Sequence, residues 1–348
     1  MGNKFYKKQI KDEEDNALQI ENLYPMTAKE DLKNRNYKMT LIENKFQYDI
    51  FCVTSFPCGN IILSRKESRI EIYDENFKSL QVIENASEDW IYRVGVIDNN
   101  NFATVSYNGQ LRIFTQNGES KLFELNQIIQ VFQGWMDNLI ITKRKNIITN
   151  DWGGSEIKIY SLDGNNKYEL SMQKKSRGNR ILCAEDYKLL ITSTHNAINF
   201  YNLYTLKFLK KLKKVGTNDK YSLFRIDNDQ IVACHSGINI ICLKEKKVIK
   251  TNKSFCPNIG CNVKNKGIFI CARETTICLF RSDKLVCIQI LKAYKDTIYG
   301  IFCHQNDTIM CYSLRCNEFQ IYKIEKEEKK KKMDLILFKA RYLFLIGC

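Results

Sequence analysis

The sequence predicts an all-β protein: a ring of seven four-stranded antiparallel sheets, the blades of one seven-bladed β-propeller. Three observations predict it. A short element of the form apolar, any, apolar, large recurs seven times along the 348 residues at a nearly constant step. Runs rich in Ile, Val, Phe and Tyr precede the copies in period-two alternation, with Asn-Gly and Asp-Asn turns between them. No long stretch shows helical periodicity.

The repeated element reads IEIY at Ile70–Tyr73, LRIF at Leu111–Phe114, IKIY at Ile157–Tyr160, INFY at Ile198–Tyr201, INII at Ile238–Ile241, ICLF at Ile277–Phe280 and FQIY at Phe319–Tyr322. Its first positions step by 41, 46, 41, 40, 39 and 42 residues, the length of one four-stranded blade. A second strand lies just upstream: IILS after Asn60, FATVS from Phe102, LLITS from Leu189, IVAC from Ile231, IFICA from Ile268 and TIMCY from Thr308. Further upstream is a third: IFCVTSF from Ile50, YRVGVI from Tyr92, YSLFRI from Tyr221 and IYGIFC from Ile298. A more polar fourth strand completes each blade. The 46-residue step predicts a small insertion around Lys143–Asn150.

A ring of sheets must also close, because an unpaired end blade exposes a strand edge. After FQIYKIE the last blade lacks a fourth strand, so YKMTLIE, Tyr37–Glu43, is expected to supply it from the N-terminal side. The chain then divides into a polar N-terminal extension (1–36), the propeller (37–325) and a basic, then apolar, C-terminal extension (326–348).

The repeat resembles that of the WD-repeat family, whose blades end their third strand on a Trp-Asp pair. The Trp position holds Tyr73, Phe114, Tyr160, Tyr201, Ile241, Phe280 and Tyr322, and the Asp survives only as Asp74. The resemblance covers about residues 37–325 and implies a propeller used as a binding platform; it does not indicate a partner. Family blades carry an Asp in the turn before the third strand, held by a His near the start of the blade. Here the turn positions are Glu67, Asn108, Gly154, His195, His235, Glu274 and Cys316, and none of the three His stands at the partner's place. His195 and His235, in equivalent turns, read as replacements for the turn Asp. The chain is thus expected to be a degenerate member, held by apolar packing and ladder hydrogen bonds.

Net charge is +15, with 54 Lys and Arg against 39 Asp and Glu. That balance suits anionic partners, although a Lys-, Asn- and Ile-rich composition produces the same excess. The fourteen cysteines follow no secretory signal, and Cys271, Cys278, Cys303 and Cys311 sit in alternating apolar runs. They read as reduced, buried thiols of a cytoplasmic protein. No C-x-x-C occurs, and Cys256/Cys261 and Cys311/Cys316 lack a second ligand pair, so no metal or other cofactor is expected. The absence of G-x-S-x-G, a phosphate loop and H-E-x-x-H argues against an enzyme.

Charge sorted by blade gives the candidate binding residues. Loops leading from one blade to the next are basic from the third blade on: Lys174, Lys175, Arg177, Arg180, then Lys213, Lys214, Lys220, then Lys250, Lys253, then Lys292, Lys295. Those of the first blades carry Glu84, Glu88, Asp89 and Glu124. The expectation is a non-enzymatic scaffold that docks other proteins on one face, through acidic or phosphorylated segments. The alternative is a substrate receptor for a ubiquitin ligase or another modifying complex. Nucleic acid is not expected: Lys207, Lys210 and Lys211 alternate with Phe208 and Leu209 as on an outer strand, where charge blocks edge pairing. The termini raise membrane contact. Met1-Gly2-Asn3-Lys4 resembles an N-myristoylation start, making Gly2 a candidate lipidation site, but position six is Tyr6 instead of Ser or Thr. Met333–Cys348 is apolar, yet its sixteen residues as a helix would span about 24 Å, short of a ~30 Å hydrocarbon core. Packing on the propeller, peripheral membrane contact and a gene-end artefact are the three readings of this segment.

Overall fold

The computed structural model describes residues 37–46, 49–151, 153–176, 178, 180–194, 196–215, 223–234, 237–263, 266–292, 297–304, 307–313 and 318–326. Each blade is an antiparallel sheet of four strands paired in sequence order. Blade 1 holds β2 (Ile50–Ser55), β3 (Ile61–Arg65), β4 (Ile70–Tyr73) and β5 (Ser79–Ile83); blade 2 holds β6 (Ile91–Asp98), β7 (Asn101–Ser106), β8 (Gln110–Gln116) and β9 (Phe123–Gln130). Blade 3 comprises β10 (Met136–Ile141), β11 (Ile147–Asp151), β12 (Glu156–Leu162) and β13 (Tyr168–Lys175). Blade 4 comprises β14 (Arg180–Ala184), β15 (Leu189–Thr194), β16 (Ala197–Asn202) and β17 (Phe208–Lys213). Blade 5 is β18 (Leu223–Arg225), β19 (Gln230–Cys234), β20 (Ile238–Cys242) and β21 (Lys247–Asn252). Blade 6 is β22 (Ile259–Val263), β23 (Ile268–Arg273), β24 (Thr276–Arg281) and β25 (Val286–Lys292). Blade 7 joins β26 (Gly300–Cys303), β27 (Thr308–Tyr312) and β28 (Glu318–Lys326) to β1 (Tyr37–Phe46), which pairs with β28 from Tyr37↔Lys326 to Phe46↔Glu318. The N-terminal strand therefore closes the ring, running three residues beyond the expected Glu43.

Helix among the described residues is confined to 3-10 turns, Glu185–Tyr187 and the single residue Asp307. None there is long and apolar enough to cross a membrane.

The second and third strands read as near-continuous apolar runs because both of their faces pack on neighbouring blades. The core therefore lies between blades. Phe102 stacks on Phe114 at 4.7 Å, and Phe56 of blade 1 reaches across to Phe102 and Phe123. Each such ring removes from water an area that stabilises the fold by about 1.5–3 kcal/mol.

One irregularity repeats in every blade. Pairing of the third and fourth strands shifts by one residue at Ile72/Tyr73, Ile113/Phe114, Ile159/Tyr160, Phe200/Tyr201, Ile240/Ile241 and Leu279/Phe280, and opposite Ile321/Tyr322. These are the seven positions at the end of the sequence repeat, so the large residue coincides with a bulge that twists the outer strand. The residues left without a ladder partner include Leu80, Leu209, Ile249 and Ile42, all exposed on the rim.

Lys143–Asn150 is not an insertion. Thr142 to Asn146 forms an ordinary hairpin turn (Thr142 N to Asn146 O, 2.9 Å), and Ile147–Asp151 is the buried second strand of blade 3. The longer step is spread over several connections: β8 and β9 are separated by six positions where β12 and β13 are separated by five, and β11 and β12 by four where β15 and β16 are separated by two.

Candidate functional site

Antiparallel order puts two kinds of connection on each face. The links between blades and the turns between second and third strands share one face, here called upper. The turns between first and second, and between third and fourth, strands share the lower.

The lower turns are spent on holding the blades to each other. Cys58 N donates to Asn99 Oδ1 (3.0 Å) between blades 1 and 2, and Lys145 meets Asp98 (2.6 Å) between blades 2 and 3. Asp186 takes Lys143 from blade 3 (2.7 Å) and Arg225 from blade 5 (3.0 Å), while Lys266 joins Asp307 (2.7 Å) between blades 6 and 7.

The upper face is built differently. Six aromatic rings form a continuous arc over blades 7, 1, 2 and 3. Tyr299 lies 6.5 Å from Phe51; Phe51 lies 5.7 Å from Trp90 and 5.4 Å from Tyr92; Tyr92 and Trp90 each lie 6.1 Å from Tyr107. Tyr107 in turn lies 4.1 Å from Trp135. Phe51 and Tyr92 are buried and form the floor; Trp90 is 39% exposed, with Lys66 5.8 Å above its ring.

Local geometry explains how Trp135 reaches Tyr107. Gly109 adopts φ +80°, and its carbonyl accepts from Val131 N (2.9 Å) and Phe132 N (3.2 Å), folding the link 131–135 onto the β7–β8 turn. A Cβ at Gly109 would stand 2.2 Å from Phe132 O, so only glycine fits. Next to Trp135 opens a cavity of about 560 Å³ lined by Phe132, Gln133, Gly134, Trp135, Asp151 and Gly153. Asp151 caps the turn into β12, its Oδ1 accepting from Glu156 N (3.0 Å) and its Oδ2 from Ser155 Oγ (2.5 Å). Blade 3 therefore does carry a turn aspartate, at the end of β11 and not at Gly154. Blade 2 uses Asn108, whose Oδ1 accepts from Ser106 Oγ (2.6 Å).

The expected basic set is brought together in part. Lys175, Lys213 and Lys292 end outer strands at the upper face and are exposed, as are Lys214 and Lys253 just beyond their strands. Lys174 is half-buried, its ammonium 5.6 Å over the Tyr201 ring. Two residues need correction. Arg180 lies not in a loop but in β14, buried at 6% exposure, because the first strand of blade 4 begins there. Lys250 lies within β21 and donates to Ser282 O (3.4 Å) and Asp283 O in a lower turn of the next blade. Arg177, Lys220, Lys295, His195, His235 and Gly2 fall outside the described residues, as do the two extensions apart from Lys326. Of the acidic set, Glu84, Glu88 and Asp89 occupy the upper link before β6, but Glu124 belongs to β9 near its lower end.

The rings escaped the sequence reading because Phe51, Trp90, Tyr107, Trp135 and Tyr299 are far apart in the chain and follow no motif. Their one common signal is position, each at an upper end of a strand.

Chemically the face offers apolar area, carboxylates and ammonium groups. Burial pushes the thiols of Cys52, Cys271, Cys278 and Cys311 up, and that of Cys183 up to about 12. That is the opposite of what a nucleophile needs. The twelve described cysteines are all free, and no group of three or more metal-ligating side chains occurs among the described residues.

Fold and face together define a seven-bladed β-propeller with an aromatic arc on one side. Compared with models of protein families the chain matches none, and the curated proteins likewise contain no match.

Proposed function

We propose that this propeller is a non-enzymatic interaction scaffold that docks other proteins on its upper face. One observation carries the proposal: the lower-face loops are tied blade to blade, whereas the upper face leaves Trp90 exposed and Tyr107, Trp135 and Tyr299 half-buried with part of each ring open to solvent. Exposed Trp and Tyr supply the kind of area that dominates binding at protein interfaces. Exposed lysines of blades 3 to 6 on the same face (Lys175, Lys213, Lys214, Lys253, Lys292) would add attraction for an acidic or phosphorylated segment, with a salt-dependent association rate. The repeated aromatic position and its bulge support a kinship with WD repeats, with the turn network reduced to Asp151 and Asn108.

The test is affinity capture and cross-linking with the full chain, a Trp90→Ala chain and a chain reversed on the rim at Lys207, Lys210 and Lys211. A partner retained by the wild type and the rim variant but lost by Trp90→Ala is the expected result. Equal capture by all three chains would reject the upper face as the docking site.

A further inference from the structure

We propose that the cavity beside Trp135 receives an arginine or lysine side chain of a partner polypeptide, so that the upper face reads a cation in one sector and an acidic segment in the other. This rests on the interaction-face reading above and sharpens it. The cavity has an aromatic wall and an acidic wall. Trp135 lines it and is held by Tyr107 at 4.1 Å and Tyr92 at 6.3 Å. Indole is the strongest of the aromatic faces for a cation. Asp151 lines it too, and both of its hydrogen-bonded donors are neutral groups. Among the described residues no cation pairs with Asp151, so its charge is left for an incoming group.

Neighbouring charges do not cancel this. Lys158 lies 4.5 Å over the Phe132 ring, donates a hydrogen bond to Val131 O at 2.7 Å and sits 3.6 Å from Glu156. That ammonium is already neutralised, and it shows a lining ring of this cavity accepting a cation on its face. Farther along the arc Arg112 and Glu88 pair at 3.2 Å, as do Arg69 and Glu84 at 3.3 Å. Asp89 accepts from Trp90 N at 2.7 Å without a cationic partner among the described residues. From blade 1 to the end of β11 in blade 3 the upper face therefore carries the rings together with Asp89 and Asp151, which have no cationic partner among the described residues, and the exposed lysines of the expected basic set begin at Lys175 on the outer strand of blade 3.

The probes are capped pentapeptides, Gly-Gly-X-Gly-Gly, with X as arginine, lysine, citrulline, norleucine or glutamate, titrated into the full chain and read by ligand-observed NMR. Arginine and lysine probes are expected to saturate, and citrulline and norleucine, which keep the shape without the charge, to bind about five- to tenfold more weakly. Asp151→Asn keeps an oxygen for Glu156 N, so its near-UV circular dichroism should be unchanged while cation binding falls by a similar factor. Trp135→Leu should do the same, and Lys175→Glu should not weaken it. Equal binding of arginine and citrulline, an Asp151→Asn chain that binds normally, or no saturation by either cation would overturn the proposal. Those results would leave the docking face itself to stand or fall on the Trp90→Ala capture experiment.

Discussion

Gln289 of blade 6 holds the backbone of Met39 at both ends, its Oε1 accepting from Met39 N at 2.7 Å and its Nε2 donating to Met39 O at 3.1 Å. The pair spans 250 residues of chain and ties the closing strand β1 to the preceding blade as well as to β28. The same grip recurs at Gln81 on Phe123 (2.9 and 2.8 Å) and at Gln127 on Tyr168 (2.9 Å each way). These three glutamines occupy one register position, opposite Leu279, Ile72 and Ile113. Lys210 and Lys250 hold that position in blades 4 and 5 and reach carbonyls of the next blade with their amines.

Gln289→Ala should therefore destabilise the protein by about 1–3 kcal/mol, because it leaves a partly buried N–H and C=O without their partner. Urea unfolding would measure it. Gln289→Glu should be worse than a neutral loss, since Met39 O would face an acceptor. A change below ~0.5 kcal/mol would mean water replaces the clamp.

Deleting residues 1–45 should produce an aggregating protein, whereas deleting 1–30 should leave the melting temperature nearly unchanged. The first truncation removes Met39, 1% exposed, and opens the edge of β28. Light scattering and thermal melting of the two chains decide it. Equal tolerance would mean that another segment can take the place of β1.

The periodic part of this architecture was legible because it repeats. Strand order, blade number and the closing strand all follow from the spacing of elements such as Ile70–Tyr73 and from the missing partner of Phe319–Tyr322. What the sequence hid has a common physical cause. Blade 3 and the start of blade 4 lack a clean alternating pattern: Ile147 and Ile148 are followed by Thr149 and Asn150, both fully buried and paired, Thr149 with Asn138 O (2.7 Å) and Asn150 with Gly178 O (3.1 Å). Buried polar residues break the apolar signal while satisfying the backbone, so the strand read as an insertion. Arg180 was misplaced for the same reason, being a charged residue inside a first strand. The aromatic arc was hidden because contacts between blades leave no trace in local spacing.

Gly300→Ala should cost about 1–3 kcal/mol through overpacking. Gly300 pairs with Tyr312, and an added Cβ would lie 1.9 Å from Tyr312 Cζ. The ring lies over the glycine so that its hydroxyl can donate to Phe51 O at 3.0 Å, linking blade 7 to blade 1. Tyr312→Phe in the Gly300→Ala background should then add little, because the displaced ring has already lost that bond. A large additional loss would show that the ring stays in place.

Acid should weaken the belt of ion pairs on the lower face. Burial works against the charge of Asp98, but hydrogen bonds from Lys145, Asn101 and the Asn100 backbone outweigh it and hold its carboxyl below the usual 3.8. Lys143 and Arg225 hold Asp186 low as well. A depressed folded value means that the unfolded chain takes up the proton first. The stabilisation is fully present above about pH 4 and is lost as pH falls through the lower folded values. Chemical unfolding at pH 6 and at points below pH 4 should show the decline, and Asp98→Asn should make it shallower. Salt should have a smaller effect on Asp98, which is partly buried, than on the exposed Asp186. An unchanged pH slope in Asp98→Asn would remove this pair from the account.

Reversing the exposed upper-face lysines Lys175, Lys213 and Lys253 to Glu should weaken capture of an acidic partner without altering the fold. Exposed charges contribute little to stability, typically within ±0.5 kcal/mol per site. Three reversals change the local charge by about six units, and the association rate should fall by one or more orders of magnitude at low salt. Lys207, Lys210 and Lys211 are the control. They lie at or beside the rim strand β17, and Lys210 already gives its amine to Glu245 O at 3.3 Å. Reversing these three changes net charge equally but should barely affect capture. Raising salt should shrink the difference between the two variants, since screening shortens the reach of surface charge to about 8 Å at physiological ionic strength. Equal loss from the rim and the upper face would mean that the partner senses only the overall charge of +15, and the lysine sector would then carry no directional role.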